Sequence, residues 1–176
     1  MKYALVLFLC FSTSMALAQR EHPTYFGFKG GLNRSVINGH EPNGTSTGFI
    51  GLELYASLFA DSRLGERWRI ENEILFSFTD DYYFIEIPLH IKYQVFNKTF
   101  IFAGPKLDII VNPDDEMYNF NNFGVSVEIG AQYEFAKRFF AEIRYSQGLF
   151  KQINDYALDI YDGKRNTLRL GLGIRF

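Results

Sequence analysis

The chain has 176 residues, a formal net charge of −2 and a single cysteine. Its length suits one domain, its near-neutral charge offers nucleic acid no basic footprint, and one cysteine cannot make an internal disulfide. Hydrophobic residues make up 47% and aromatics 18%, yet no apolar run past the first residues approaches the roughly 20 of a spanning helix. Any membrane contact by the body of the chain therefore falls to strands, since only helices and closed barrels satisfy their backbone in lipid.

Residues 1–18 read as a cleaved signal peptide. Lys2 supplies the positive start, 3–11 the apolar stretch, and Ala16-Leu17-Ala18 a small-x-small cleavage site before Gln19. The lone Cys10 lies inside this segment behind bulky Leu9, which argues against lipidation. The expected domain is 19–176.

Period-2 alternation, the mark of a two-faced strand, occurs in eight segments of this domain. In 25–34, Phe26, Phe28 and Leu32 oppose Gly27, Lys29, Gly31 and Asn33. In 48–60, Ile50, Leu52, Leu54, Ala56 and Leu58 oppose Gly51, Glu53, Tyr55 and Ser57. In 67–79, Trp68, Ile70, Ile74, Phe76 and Phe78 oppose Arg69, Glu71, Glu73 and Ser77. In 82–95, the apolar face from Tyr83 to Val95 opposes Glu86, Pro88, His90, Lys92 and Gln94. In 99–111, Ile101, Ala103, Leu107 and Ile109 oppose Phe102, Gly104, Lys106 and Asp108. In 123–135, Val125, Val127, Ile129, Ala131, Tyr133 and Phe135 oppose Gly124, Ser126, Glu128, Gly130, Gln132 and Glu134. In 139–149, Ala141, Ile143 and Tyr145 oppose Glu142, Arg144, Ser146 and Gly148. In the last segment every even position from Leu168 to Phe176 is apolar, and the odd positions are Arg169, Gly171, Gly173 and Arg175. These runs match the roughly 9–11 residues of a tilted membrane-crossing strand.

Long connections are expected at 36–47, 112–122 and 150–166. Tight ones are expected at 61–66, 96–98 and 136–138, with 80–81 a short exception among the long ones. Long loops at one end and short turns at the other are outer-membrane barrel anatomy. A soluble ligand-holding barrel has the same alternation with its faces exchanged. Three features favour an apolar exterior. Glycine crowds the polar face, where it would weaken an exposed strand. Aromatics cluster near strand ends (Tyr25, Trp68, Phe78, Tyr83, Tyr93, Phe123, Phe135, Phe139) like interfacial girdles. The polar-face charges nearly cancel: Lys29, Arg69, Lys92, Lys106, Arg144, Arg169 and Arg175 against Glu53, Glu71, Glu73, Glu86, Asp108, Glu128, Glu134 and Glu142. Buried charges must pair, and eight strands enclose a lumen that side chains just fill. The expected fold is all-β: an eight-stranded antiparallel up-and-down transmembrane barrel with a filled polar lumen and no open pore. Phe176 is the aromatic last residue of this alternating closing strand. Pro88 and Pro105, which cannot donate to a ladder, are expected to form paired bulges.

Several segments bear a resemblance: Phe26-Gly-Phe-Lys-Gly-Gly-Leu-Asn33, Phe84-Ile-Glu-Ile-Pro-Leu-His-Ile-Lys-Tyr93, Phe102-Ala-Gly-Pro-Lys-Leu107, Gly130-Ala-Gln-Tyr-Glu-Phe135, Arg144-Tyr-Ser-Gln-Gly-Leu149 and Leu170-Gly-Leu-Gly-Ile-Arg-Phe176. In order and spacing they resemble the PorT-like outer-membrane β-barrel proteins of Bacteroidota, over nearly the whole 19–176 region. The resemblance implies a barrel of OmpX/OmpA-like size in the outer membrane, among lipid and lipopolysaccharide. It also implies insertion by the barrel-assembly machinery, which would read Phe176 as the aromatic assembly signal, no enzymatic activity and no cofactor. One branch of that group is linked to secretion, so a secretion or surface partner is an open expectation; a monomer is expected.

The chemistry-bearing candidates are few. His90 belongs to the interior network, near Glu86 and Lys92. His40 and Asp80–Asp81 fall in outer loops, where an acid–histidine site could serve an outer-rim enzyme; the plain reading is solvated loop. Asp114-Asp115-Glu116 offers oxygen ligands for a divalent cation but lacks regular ligand spacing. Ile153, Tyr156, Ala157, Ile160 and Tyr161 follow helical spacing and suggest a short helix at the barrel mouth or a contact surface. His22 lies beside the processed end.

Overall fold

The computed structural model describes residues 23–40, 46–78, 83–111, 123–150 and 161–176. Their alternating pattern becomes eight strands: β1 (Thr24–His40), β2 (Ser46–Arg63), β3 (Trp68–Phe78), β4 (Tyr83–Phe96), β5 (Thr99–Val111), β6 (Phe123–Glu134), β7 (Phe139–Gly148) and β8 (Tyr161–Arg175). Each strand pairs antiparallel with the next, and β8 returns to β1, giving the closed up-and-down barrel. Closure leaves no strand edge unpaired. At the seam Gly31 faces Gly171 and Leu32 faces Leu170. Phe176 finishes it: its N–H donates to the Phe26 carbonyl at 2.9 Å, and its ring meets Phe28 edge-on at 5.8 Å.

The period-2 faces sort without mixing. Leu52, Ile129 and Leu172 point outward, 73%, 55% and 63% exposed, while Glu71, Glu86 and Arg169 point inward at 0%. Apolar side chains cover the outer wall on every strand, far more than the few hundred Å² a soluble monomer exposes. A soluble barrel around an apolar ligand needs the opposite arrangement, so that alternative is excluded. Aromatics edge the wall in pairs, with Trp68 on Tyr93 at 4.7 Å, Phe78 on Tyr83 at 6.1 Å and Phe135 on Phe139 at 6.3 Å.

Several boundaries differ from the sequence reading. β1 and β2 stay paired as far as His40 opposite Ser46, which leaves only 41–45 between them, so the long connection expected at 36–47 is absent. β8 begins at Tyr161 rather than near Leu168, with His40 opposite Tyr161. β1 hydrogen-bonds on both edges, and these two ladders hold the polar Asn38-Gly39-His40 stretch extended. On the β8 side the register shifts at Asn38/Gly39, which leaves Gly163 without an opposite residue; an extra residue of this kind is a bulge. His40 is therefore a strand residue, and Tyr161 belongs to β8 instead of a helix. Residues Asp80–Asp81, Asp114-Asp115-Glu116, 153–160, Cys10 and His22 lie outside the described residues.

The prolines are not bulges. Pro88 faces Lys106 and Ile91 faces Ala103, so equal numbers of residues lie opposite one another across this stretch, and Pro105 pairs with Val127 on its other side. The ladder merely skips two pairs where prolines lack the donor. Gly104 permits close strand approach there, because a Cβ on it would stand 1.8 Å from the Leu89 carbonyl oxygen. The β4–β5 register shift falls instead at Gln94/Phe96, beside the turn.

Candidate functional site

The inward face is an ionic core in three tiers. In the lowest, near the short turns, Asp61 and Glu134 are shared by two arginines. Arg69 lies 3.3 and 3.2 Å from them, and Arg175 3.1 and 2.8 Å. The Arg69 guanidinium also lies over Phe100 at 4.3 Å.

The middle tier is the densest. Lys29 Nζ sits 2.6 Å from Glu71, 3.0 Å from Glu73 and 3.1 Å from Glu142. Lys92 donates to Glu71, and at 2.7 Å to Gln132. Arg144 grips both Glu73 oxygens at 3.0 Å in bidentate fashion, and also reaches Glu142 and, at 3.1 Å, Glu128. His90 bridges two carboxylates, with Nε2 at 2.9 Å from Glu128 and Nδ1 at 3.5 Å from Glu71.

The upper tier centres on Glu86, which receives Arg169, Lys106 at 2.6 Å, Arg165 at 3.2 Å and the Ser77 hydroxyl at 2.9 Å. Arg165 also reaches Glu53 at 2.8 Å and Ser35 at 2.8 Å, and lies 3.7 Å from the Phe84 ring centre. Glu53 accepts Asn33 as well. Lys106 sits 3.1 Å from Asp108, which accepts Ser126 at 2.7 Å.

All sixteen network residues named from the sequence other than Phe176 are in these tiers, fifteen buried and Glu134 at the partly open lower rim. Two members were missed. Asp61 stood in an expected turn and Arg165 in an expected loop; both become wall residues once the strands extend. Among the described residues, eight cations and eight carboxylates are buried, with His90 and the half-open Glu134 beyond them. Such balance is what buried charge requires.

Inward aromatics fill the remaining space. Tyr55, Phe59, Phe84, Phe100, Phe102 and Phe140 are all buried, although most interrupt the polar face that the sequence suggested. Four lie where glycine leaves a hollow in the wall: Phe59 on Gly27, Phe102 on Gly130, Tyr55 on Gly171 and Phe140 on Gly173. A Cβ on Gly173 would stand 2.1 Å from Phe140 Cζ, and one on Gly130 2.4 Å from Phe102 Cζ. These glycines make room for rings, and the rings carry cations: Lys29 lies 5.0 Å from Phe59, within cation–π range.

Glu71, Glu73 and His90 bring three ligand atoms within 4.8 Å of one another, the spacing of a metal-binding group. Lys29 and Arg144 already occupy the same carboxylates. With two fixed cations in place the cluster acts as an ion-pair node and does not suit a divalent metal. The serine hydroxyls of the tiers donate to carboxylates that cations already hold, Ser77 to Glu86 and Ser126 to Asp108, so among the described residues they extend the ion-paired network.

The fold has counterparts among solved structures. Neisserial surface protein A is similar over 86% of this chain and 97% of its own, at 12% identity and a TM-score of 0.54. The Ail protein of Yersinia pestis, an attachment invasion locus protein, is similar over 87% of this chain and 99% of its own, at 11% identity and a TM-score of 0.54. At such identities the likeness is one of fold. No curated protein sequence matches the chain. The family model described as outer membrane protein beta-barrel domain matches residues 3–176. With an apolar outer wall, girdled ends and a charge-paired interior, the chain belongs to that outer-membrane β-barrel family, and its place is the outer membrane among lipids.

Proposed function

We propose that this protein is a non-enzymatic surface barrel: a monomeric wall segment of the outer membrane that holds its outer connections toward a partner. The filled interior carries this reading. Ion pairs join opposite walls, as Arg169 on β8 does with Glu86 on β4 and Arg144 on β7 with Glu73 on β3, which leaves the lumen nothing to conduct and puts the activity at the rim. By the family anatomy the short turns face the periplasm and the longer connections face outward. Among the strands β1, β2 and β8 are the longest, at 17, 18 and 15 residues, so the wall stands highest where the β1–β2 hairpin and the start of β8 meet. Ail, a protein of this fold, is seen in complex with the heparin analogue sucrose octasulfate, a precedent for ligand binding on it. The PorT-like resemblance supports a secretion-associated partner in Bacteroidota as the second form of this reading.

Reconstituted into planar bilayers, the protein is expected to give no steady unit conductance. Cells carrying it with 112–122 and 149–160 shortened are expected to lose surface contact while the barrel still migrates faster unheated than boiled. Steady channels would overturn the reading. So would a hydrolytic activity abolished by His40→Ala, which would favour an outer-rim enzyme.

Biogenesis belongs to the same proposal: residues 1–18 direct export, and the barrel-assembly machinery takes up the closing strand through Phe176. Because that ring also packs on Phe28 at the seam, Phe176→Ala is expected to lower insertion in cells several-fold, with periplasmic accumulation. Refolding of purified chain into detergent should slow much less. Equal losses in both assays would make the residue a packing element alone.

A further inference from the structure

Among the described residues the lipid-facing wall carries a shaped feature. On the outer faces of β5 and β6, Ala103 faces Ile129 and Ala131 faces Ile101, so small side chains alternate with large ones. The alanines form the floor of a furrow of about 890 Å³, whose lining includes Trp68, Tyr93, Ile101, Ala103, Ala131 and Tyr145. That volume falls in the range of about 300–1,000 Å³ usual for ligand pockets. The furrow begins at the short-turn rim, where the Trp68 and Tyr93 rings meet at a tilt, and rises to mid-height at Tyr145, which faces Ile129 across β6–β7.

The short-turn rim at its mouth is basic. Arg67, Lys98, Lys137 and Arg138 are exposed on the turns over this arc of wall, with Glu66 the exposed acid among them; Glu134 is engaged by Arg69 and Arg175. The backbone holds Arg67 beside the furrow's mouth: its carbonyl accepts the Gln94 N–H at 2.9 Å, next to Tyr93. An apolar furrow alone selects nothing in a bilayer, because lipid tails are as apolar as leucine. A cation fixed at its mouth does select, since a guanidinium matches phosphate geometry.

We propose that this furrow is a binding site for one anionic phospholipid of the periplasmic leaflet. An acyl chain lies along the Ala103–Ala131 floor, the Trp68–Tyr93 pair sits at the glycerol level, and Arg67 and Lys98 hold the phosphate.

The test is native mass spectrometry of the whole barrel released from mixed micelles containing equal amounts of phosphatidylglycerol and phosphatidylcholine. One retained phosphatidylglycerol per barrel is the expected result. R67Q/K98Q should reduce that occupancy by about fivefold per cation removed. Ala131→Trp, which fills the floor without touching the rim charges, should displace the lipid as well. Heat-modifiability on gels checks that each variant is folded. Equal retention of the two lipids overturns the proposal, as does unchanged phosphatidylglycerol in Ala131→Trp. A dimer in place of the lipid adduct would assign the furrow to a second copy of the chain and overturn it too.

Discussion

Replacing Arg144 with methionine is expected to cost about 3–5 kcal/mol of folding stability, the scale for removing one partner of a buried ion pair. Methionine keeps most of the length and deletes only the charge. Arg144 is the shared cation of Glu73, Glu128 and Glu142, all in its immediate shell. Without it Glu73 and Glu142 are left to Lys29 as their one remaining counter-charge, while Glu128 keeps Arg169 at 3.3 Å and His90 at 2.9 Å. Urea unfolding in lipid vesicles measures this directly, and Trp68, the single tryptophan, reports from the outer wall. The double variant R144M/E142Q should recover part of the loss, because it removes one of the stranded charges. A cost within the roughly 0–1 kcal/mol of a surface pair would mean that water enters the lumen and screens the tier.

Placing an arginine at Ile129 should cost about 2–4 kcal/mol, the penalty for a cation at mid-bilayer on the lipid face of a barrel. Ile129 is 55% exposed on the outer wall and lies midway between Phe123 and Phe135 along β6. The same substitution at Phe135, beside the girdle, should cost only about 0–1 kcal/mol beyond its lost ring contact. The depth dependence is the decisive readout: equal costs at the two positions would mean that this face does not meet hydrocarbon. One residue away the physics changes. At Gly130 even alanine is opposed, with a Cβ 2.4 Å from Phe102 Cζ and 2.6 Å from the Ile143 carbonyl, so the penalty there comes from crowding and is insensitive to lipid.

The strands and their faces were legible because a period of two is a local property. Lys29, Glu71, Arg144 and Arg169 could be assigned to the interior from neighbouring residues alone. The ends of the strands were not legible. Asp61-Ser62-Arg63 and Asp162-Gly163-Lys164 carry turn composition, yet ladders to distant partners hold them extended: Asp61 pairs with Glu71 and Lys164 with Asn38. That information lies on another strand, so Asp61 and Arg165 escaped notice. The inward phenylalanines carried a usable signal, since Phe59, Phe84, Phe100 and Phe140 have the parity of the charges beside them. Their apolar character masked it. Their glycine partners needed the register, because Tyr55 on β2 fills the hollow of Gly171 on β8, two strands away. The proline reading failed for a related reason: a missing donor interrupts a ladder without adding a residue, and only the pairing numbers separate the two outcomes.

Beside the pairs between neighbouring strands, several contacts of the tiers cross the barrel. Arg165 and Arg169 on β8 meet Glu86 on β4, Arg144 on β7 meets Glu73 on β3, and the rings of Phe59 on β2 and Phe140 on β7 touch edge to face at 5.7 Å. Mechanically these are spokes. A hollow cylinder of eight strands would flatten under lateral bilayer pressure by shearing its ladders, whereas a spoked one must break charge pairs to become oval. The same geometry orders folding in time. No spoke can form until both of the walls it joins are in place, so much of the interior locks as the seam between β1 and β8 closes, and a barrel without the β7–β8 hairpin lacks Arg144, Arg165, Arg169 and Arg175, four of the eight buried cations among the described residues.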